Sequence, residues 1–212
     1  MTRLLASAVL FDMDGTLVDS TAMVEAIWAE FAAANKVDAG RVINFAHGRP
    51  SRDTVAKFAR DPRRSDEWNA WIHKAEGERF TEVTTLPGAL DFVKALPAER
   101  WAVVTSAIHG PALERLAQNG FPAPHVLIGA DDVRRGKPHP EGYARAAREL
   151  GFEPADCVVF EDTSAGVQAG RRAGAKVVAV GHAKVGRVAA RIADFTQARV
   201  EATGEELALI VP

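Results

Sequence analysis

The chain has 212 residues, 47% hydrophobic and 25% charged, the composition of an ordinary globular protein. A net charge of −2 excludes the basic footprint of a nucleic-acid binder. No apolar run approaches the roughly 20 residues that a membrane span needs, and the lone cysteine, Cys157, excludes an internal disulfide.

The first apolar run, "SAVLF" (7–11), reads as a buried strand and breaks off at "DMDGT". "LLASAVLF" lacks a signal-peptide cleavage pattern, so a cytoplasmic protein is expected. Residues 21–35 follow with apolar side chains at helical spacing: Ala22, Met23, Ala26, Ile27, Trp28 and Phe31. "TVAKFA" and "DEWNAWIHKAEGERF" continue the helical pattern, and residues 20–85 hold no convincing strand. "TLPGA" (85–89) marks a return to a different pattern. Val-rich runs at 101–105, 125–129, 157–160 and 176–180 alternate with helical stretches at 88–96, 110–120, 140–151 and 165–174. Gly120, Gly151 and Gly174 stand where helices end. Alternation of this kind predicts a doubly wound α/β fold with a mainly parallel, Rossmann-like sheet. Residues 1–19 and 86–212 are expected to form it, with 20–85 inserted as a helical cap. The tail "EATGEELALIVP" reads as a last helical turn and a short apolar segment. Cys157, among apolar neighbours, reads as a buried structural thiol.

Ligands bind such sheets at the carboxyl ends of the strands. Asp12, Asp14, Gly15 and Thr16 follow the first strand, Thr105 and Ser106 the second, and Glu161 and Asp162 the run at 157–160. Lys137, in "RRGKPHP", precedes a helix. Several carboxylates at one edge need a cation, and oxygen-only ligands favour Mg²⁺. Asp12 could then hold metal and act as nucleophile, with Asp14 placed to protonate a leaving oxygen. Lys137, Thr105 and Ser106 could bind phosphoryl oxygens.

Taken in order, "DMDGT", the "TS" after a strand, "GKPHP" and "VVFEDTSAG" resemble the four motifs of the haloacid dehalogenase (HAD) superfamily. The resemblance spans nearly the whole chain. It implies Asp12 as nucleophile and metal ligand, and Asp14 as general acid/base with its backbone carbonyl toward Mg²⁺. It implies Asp162 as a metal ligand and Glu161 as support for the metal site. Gly15, Thr105, Ser106 and Lys137 would hold the phosphate, with His109 close by. An acid at Asp14 implies phosphate esters rather than haloacids or phosphonates.

The stretch 46–59, "AHGRPSRDTVAKFA", resembles the cap of sugar- and polyol-phosphate phosphatases and of β-phosphoglucomutase. It brings His47, Gly48, Arg49 and Arg52 forward as substrate contacts. The mutase carries a His twelve residues after its nucleophile, where this chain has Val24. The expectation is therefore an Mg²⁺-dependent phosphatase of small sugar or polyol monophosphates, with a mutase-like phosphotransferase as the alternative. Intact Asp12, Asp14, Lys137 and Asp162 argue against a scaffold that only binds. The expected partner is a small phosphorylated metabolite, with no nucleic acid or membrane, and the protein a monomer or weak homo-oligomer.

Overall fold

The structure is a computed structural model that describes residues 1–79, 82–182, 185–203 and 206–212. Strand β1 (Thr2–Ala6) leads through Ser7 into β2 (Ala8–Phe11), which is wholly buried. Along β2, Val9 and Phe11 face one hydrophobic core while Ala8 and Leu10 face another, as the two-residue repeat of a strand requires. Apolar side chains on both faces are what a central parallel strand needs.

After β2 the chain turns and forms β3 (Val18–Asp19), then leaves the sheet through four helices. These are α1 (Thr21–Asn35), α2 (Ala39–Ala46), α3 (Ser51–Phe58) and α4 (Ser65–Glu78). It returns through β4 (Thr84–Thr85), which pairs antiparallel with β3. The two ends of the helical insert are thus tied together at a narrow neck. Trp28, Phe31, Trp68 and Trp71 pack edge to face inside the insert.

The chain then alternates: α5 (Ala89–Lys94), β5 (Trp101–Val104), α6 (His109–Gln118), β6 (Val126–Ile128) and α7 (Glu141–Glu149). After them come β7 (Cys157–Glu161), α8 (Ser164–Ala173), β8 (Lys176–Val180) and β9 (Ala190–Ile192). The six-stranded sheet runs β6-β5-β2-β7-β8-β9, with every pairing parallel. Phe11, Phe92, Phe160 and Phe195 cluster on one face, with centroids 5.2–6.1 Å apart. Tyr143, Ala146, Ala147 and Val167 cover the other. Cys157 is buried there, its thiol pushed up to about 12 by burial.

The tail departs from expectation. In place of a helical turn it forms β10 (Arg199–Thr203) and β11 (Glu206–Val211). These make a separate antiparallel sheet with β1, registering Thr2 against Val211 and Ala6 against Leu207. Leu207, Leu209 and Val211 alternate inward, and the partner that makes them a strand lies at the other end of the chain. Among the described residues no helix is long and apolar enough to cross a membrane.

Candidate active site

Strand β2 has β5 and β6 on one side and β7, β8 and β9 on the other, so the chain reverses direction across the sheet at its centre. Asp12 follows β2, its N–H donating to Phe160 O at 3.0 Å. A tight turn comes next, with Gly15 N–H on Val18 O at 2.7 Å. Gly15 has φ +83°, and a Cβ there would fall 2.2 Å from Asp162 Oδ2. Only glycine lets this turn lie against the end of β7.

Lys137 is 5% exposed and donates to Asp12 Oδ1 at 2.5 Å and to Glu161 Oε1 at 2.6 Å. Glu161, fully buried, also accepts from Tyr143 Oη at 3.1 Å, Thr163 N at 2.9 Å and Thr163 Oγ1 at 3.0 Å. Asp162 Oδ1 accepts from Thr16 Oγ1 at 3.2 Å. Asp12, Glu161 and Asp162 each offer an oxygen within 4.8 Å of the others.

Three carboxylates against one ammonium leave the cluster short of positive charge. Burial, reinforced by Glu161 and only partly opposed by Lys137, raises Asp12 to about 7. Burial, with the charges of Glu161 and Asp12, likewise pushes Asp162 well above the ordinary carboxylate value. Burial alone would lower Lys137, but Asp12 and Glu161 outweigh it and hold the ammonium above its usual value. An oxygen-only, anionic, buried donor set with raised carboxyls fits a hard divalent cation such as Mg²⁺.

A cavity of about 490 Å³ opens on this cluster. Asp12, Asp14, Gly15, Thr105, Ser106 and Asp162 line its sheet side. Thr105 Oγ1 accepts from Ala107 N–H at 3.1 Å. Asp14 Oδ1 accepts from Ser20 Oγ at 2.7 Å and Arg115 Nη1 at 2.5 Å. His47, Gly48, Arg49, Val24, His73 and Glu76 line the insert side. His47 faces Glu25 at 3.4 Å, Arg49 stacks over Phe45 at 4.6 Å, and His73 Nε2 meets Ser51 Oγ at 2.9 Å. Gly48 (φ +70°) brings the insert backbone against the core, where a Cβ would lie 2.3 Å from Thr163 Oγ1. Its carbonyl accepts from Ser106 Oγ at 3.1 Å.

Three expected contacts lie outside that lining, the first being Lys137, which is engaged with Asp12 and Glu161. Arg52 donates to the main-chain carbonyls of Ala130 at 2.7 Å and Val133 at 3.2 Å, clasping the insert to the sheet domain. His109 begins α6, with Nδ1 3.1 Å from Asp132 Oδ2. Conversely, the sequence reading passed over Arg115 and Glu76. A signal for Arg115 was there: with Ala112 and Leu116 it makes an i, i+3, i+4 stripe on the buried face of α6, where a charge is out of place. Glu76 falls four residues after the buried Ile72 of α4.

The family described as haloacid dehalogenase-like hydrolase matches residues 6–174. Hexitol phosphatase A of Escherichia coli is 38% identical over 176 residues, covering 81% of this chain and 81% of that protein. Glycerol-1-phosphate phosphohydrolase 2 of Saccharomyces cerevisiae is 37% identical over 188 residues, covering 82% of this chain and 74% of that one. A hydrolase from Pseudomonas syringae has the same fold, with a TM-score of 0.79 at 24% identity, over 88% of this chain and 93% of that one.

Proposed function

This chain belongs to the haloacid dehalogenase-like hydrolases and is a phosphoric monoester hydrolase of that family; we propose that it hydrolyses small sugar or polyol monophosphates with Mg²⁺, through an aspartyl-phosphate on Asp12. One observation carries the reading. Asp12 and Asp14 stand two residues apart in one cavity, and Lys137 lies 2.5 Å from the first. The substrate class is supported by the hexitol and glycerol phosphatases that resemble this chain over most of its length.

Asp12 and Asp162, with the main-chain carbonyl of Asp14 and support from Glu161, would hold Mg²⁺, which when bound supplies positive charge beside the phosphoryl oxygens. Residues 1–19 and 86–212 are the catalytic domain, and 20–85 the cap that closes over it. Lys137, Thr105, Ser106 and the Gly15 turn bind the phosphoryl group. One carboxylate oxygen of Asp12 attacks phosphorus, the ester P–O bond breaks, and Asp14 gives its proton to the departing alkoxide. Asp14 then takes a proton from water as it attacks phosphorus, and the bond to Asp12 breaks to release phosphate. His47, Gly48 and Arg49 face the leaving group across the cavity and exclude water once the cap is seated. Arg52, on α3, and His109, on α6, both hold the 130–134 loop in place at the edge of the site.

The test is phosphate release from a panel of sugar, polyol and nucleotide monophosphates, with and without Mg²⁺, beside Asp12→Asn. Metal-dependent release is expected on hexitol, hexose or glycerol phosphates, falling by a factor of about 10⁴ or more in the variant. No release, with glucose 1-phosphate converted to glucose 6-phosphate once a bisphosphate is supplied, would overturn hydrolysis in favour of phosphotransfer.

A further inference from the structure

Arg115 is 2% exposed, and it reaches Asp14 from the sheet-domain helix α6. Its Nη1 is used on Asp14, while Nε and Nη2 are buried without a partner. Leaving two guanidinium nitrogens unsatisfied in the interior is costly, and such groups call for an explanation. Across the α4–α6 contact stands a group with the complementary deficit. Glu76, on the insert, is partly exposed as a residue, yet its Oε2 is buried with no partner. Arg115 feels its charge, and Glu76 in turn feels the charges of Arg115 and Asp14. Glu76 also lines the cavity, so it lies where the insert meets the reacting groups.

Two unsatisfied groups of opposite charge, one on each side of the cleft and both beside the same carboxyl, point to a shared use. We propose that Arg115 is a positioning residue for Asp14, and that Glu76 completes it from the insert. One guanidinium nitrogen stays on Asp14 and the free edge takes Glu76 when the insert seats on the loaded site. The carboxyl that serves the leaving oxygen is thereby locked in place only when the cavity is closed. This assignment rests on the phosphomonoester reading, since it gives Asp14 its proton-transfer role.

The experiment compares kcat/KM for two esters, because kcat/KM reports the step in which the ester bond breaks. The leaving group of glycerol 3-phosphate is the glycerol alkoxide, which needs a proton, whereas that of p-nitrophenyl phosphate is a stable phenolate, which does not. Arg115→Met should lower kcat/KM for glycerol 3-phosphate by about 10²-fold and for p-nitrophenyl phosphate by less than about 5-fold, the difference being a share of what general acid catalysis contributes. Arg115→Lys, which restores a single charge, should recover part of the alkyl-ester loss. Glu76→Met should cost about 10-fold on the alkyl ester alone and add nothing in the Arg115→Met background. Melting temperatures of all variants report that they fold.

Equal losses on both esters, or a Glu76→Met effect that multiplies with Arg115→Met, would overturn the assignment while leaving hydrolysis intact. Failure of the unmodified protein to release phosphate from glycerol 3-phosphate and every other monophosphate tried would overturn the phosphomonoester reading and this assignment with it.

Discussion

On the sheet side of the cavity, Lys137 ties Asp12 to Glu161 at 2.5 and 2.6 Å, and Tyr143 and Thr163 complete Glu161. On the insert side, His47 and Glu25 pair loosely at 3.4 Å, Arg49 rests on a ring, and Glu76 keeps a buried oxygen without a partner. The first wall is built to hold one charge arrangement before any ligand arrives, which is what stabilising a transferring phosphoryl group requires. The second wall leaves polar atoms uncommitted, which suits a leaving group that varies in its hydroxyls. On the proposed reading, the chemistry is preorganised on the sheet and the choice of substrate is left to the insert.

The difference is tested hardest at Lys137. Lys137→Met strands Asp12 and Glu161 together in the interior with no cation between them. Removing one partner of a buried ion pair costs about 3–5 kcal/mol. Melting should fall by roughly 10 °C or more in a domain of this size, and phosphate release should vanish. A variant that melts within about 2 °C of the unmodified protein would mean that the sheet wall is far less interdependent than its distances imply.

Mg²⁺ comes next. Asp12 sits at about 7 in the folded chain against an ordinary value of 3.8, so the folded state binds the extra proton between those pH values. Stability from this group is therefore fully present below about pH 4 and is lost as pH rises through about 7. A cation replaces that proton, so it should bind more tightly as pH rises. At roughly a hundred times its dissociation constant Mg²⁺ adds about 2.7 kcal/mol. Thermal melts at pH 8 and pH 5.5 check this: a rise of several degrees is expected at pH 8 and a smaller one at pH 5.5. No shift at either pH would remove the metal from the carboxylate cluster.

The same contrast governs what could be read before the structure. Asp12, Asp14, Thr105, Glu161 and Asp162 were legible because each ends or follows an apolar strand, and a parallel sheet gathers such ends at one edge. The insert was legible as helices for the same local reason. The tail was not: β11 is a strand because β1, some two hundred positions away, supplies its hydrogen bonds, and β10 is a strand because β11 supplies its own in turn. Arg115 was hidden because its meaning depends on Asp14 reaching it from another element, although its place on an apolar stripe announced that it was buried. Arg52 was read as a substrate contact because a motif shows which residue is present and not which way it turns.

Arg52 offers the smallest effect, and it discriminates between the two walls. Its side chain is 40% exposed and sits on carbonyls of the 130–134 loop. Hydrogen bonds from a charged group are worth about 1.5–3 kcal/mol when buried, and at this exposure solvent reduces that to about 1 kcal/mol or less. Arg52→Ala should therefore lower the melting temperature by roughly 2–4 °C. KM for a polyol phosphate should stay within about threefold, since such a factor is under 1 kcal/mol of binding. Steady-state kinetics beside a thermal melt measure both. If KM rose tenfold with melting unchanged, the guanidinium would have left the loop for the substrate's hydroxyls, and the clasp would belong to the uncommitted wall after all. If melting falls and KM holds, Arg52 sets how the insert sits on the sheet domain, and recognition rests with the side chains that line the cavity itself.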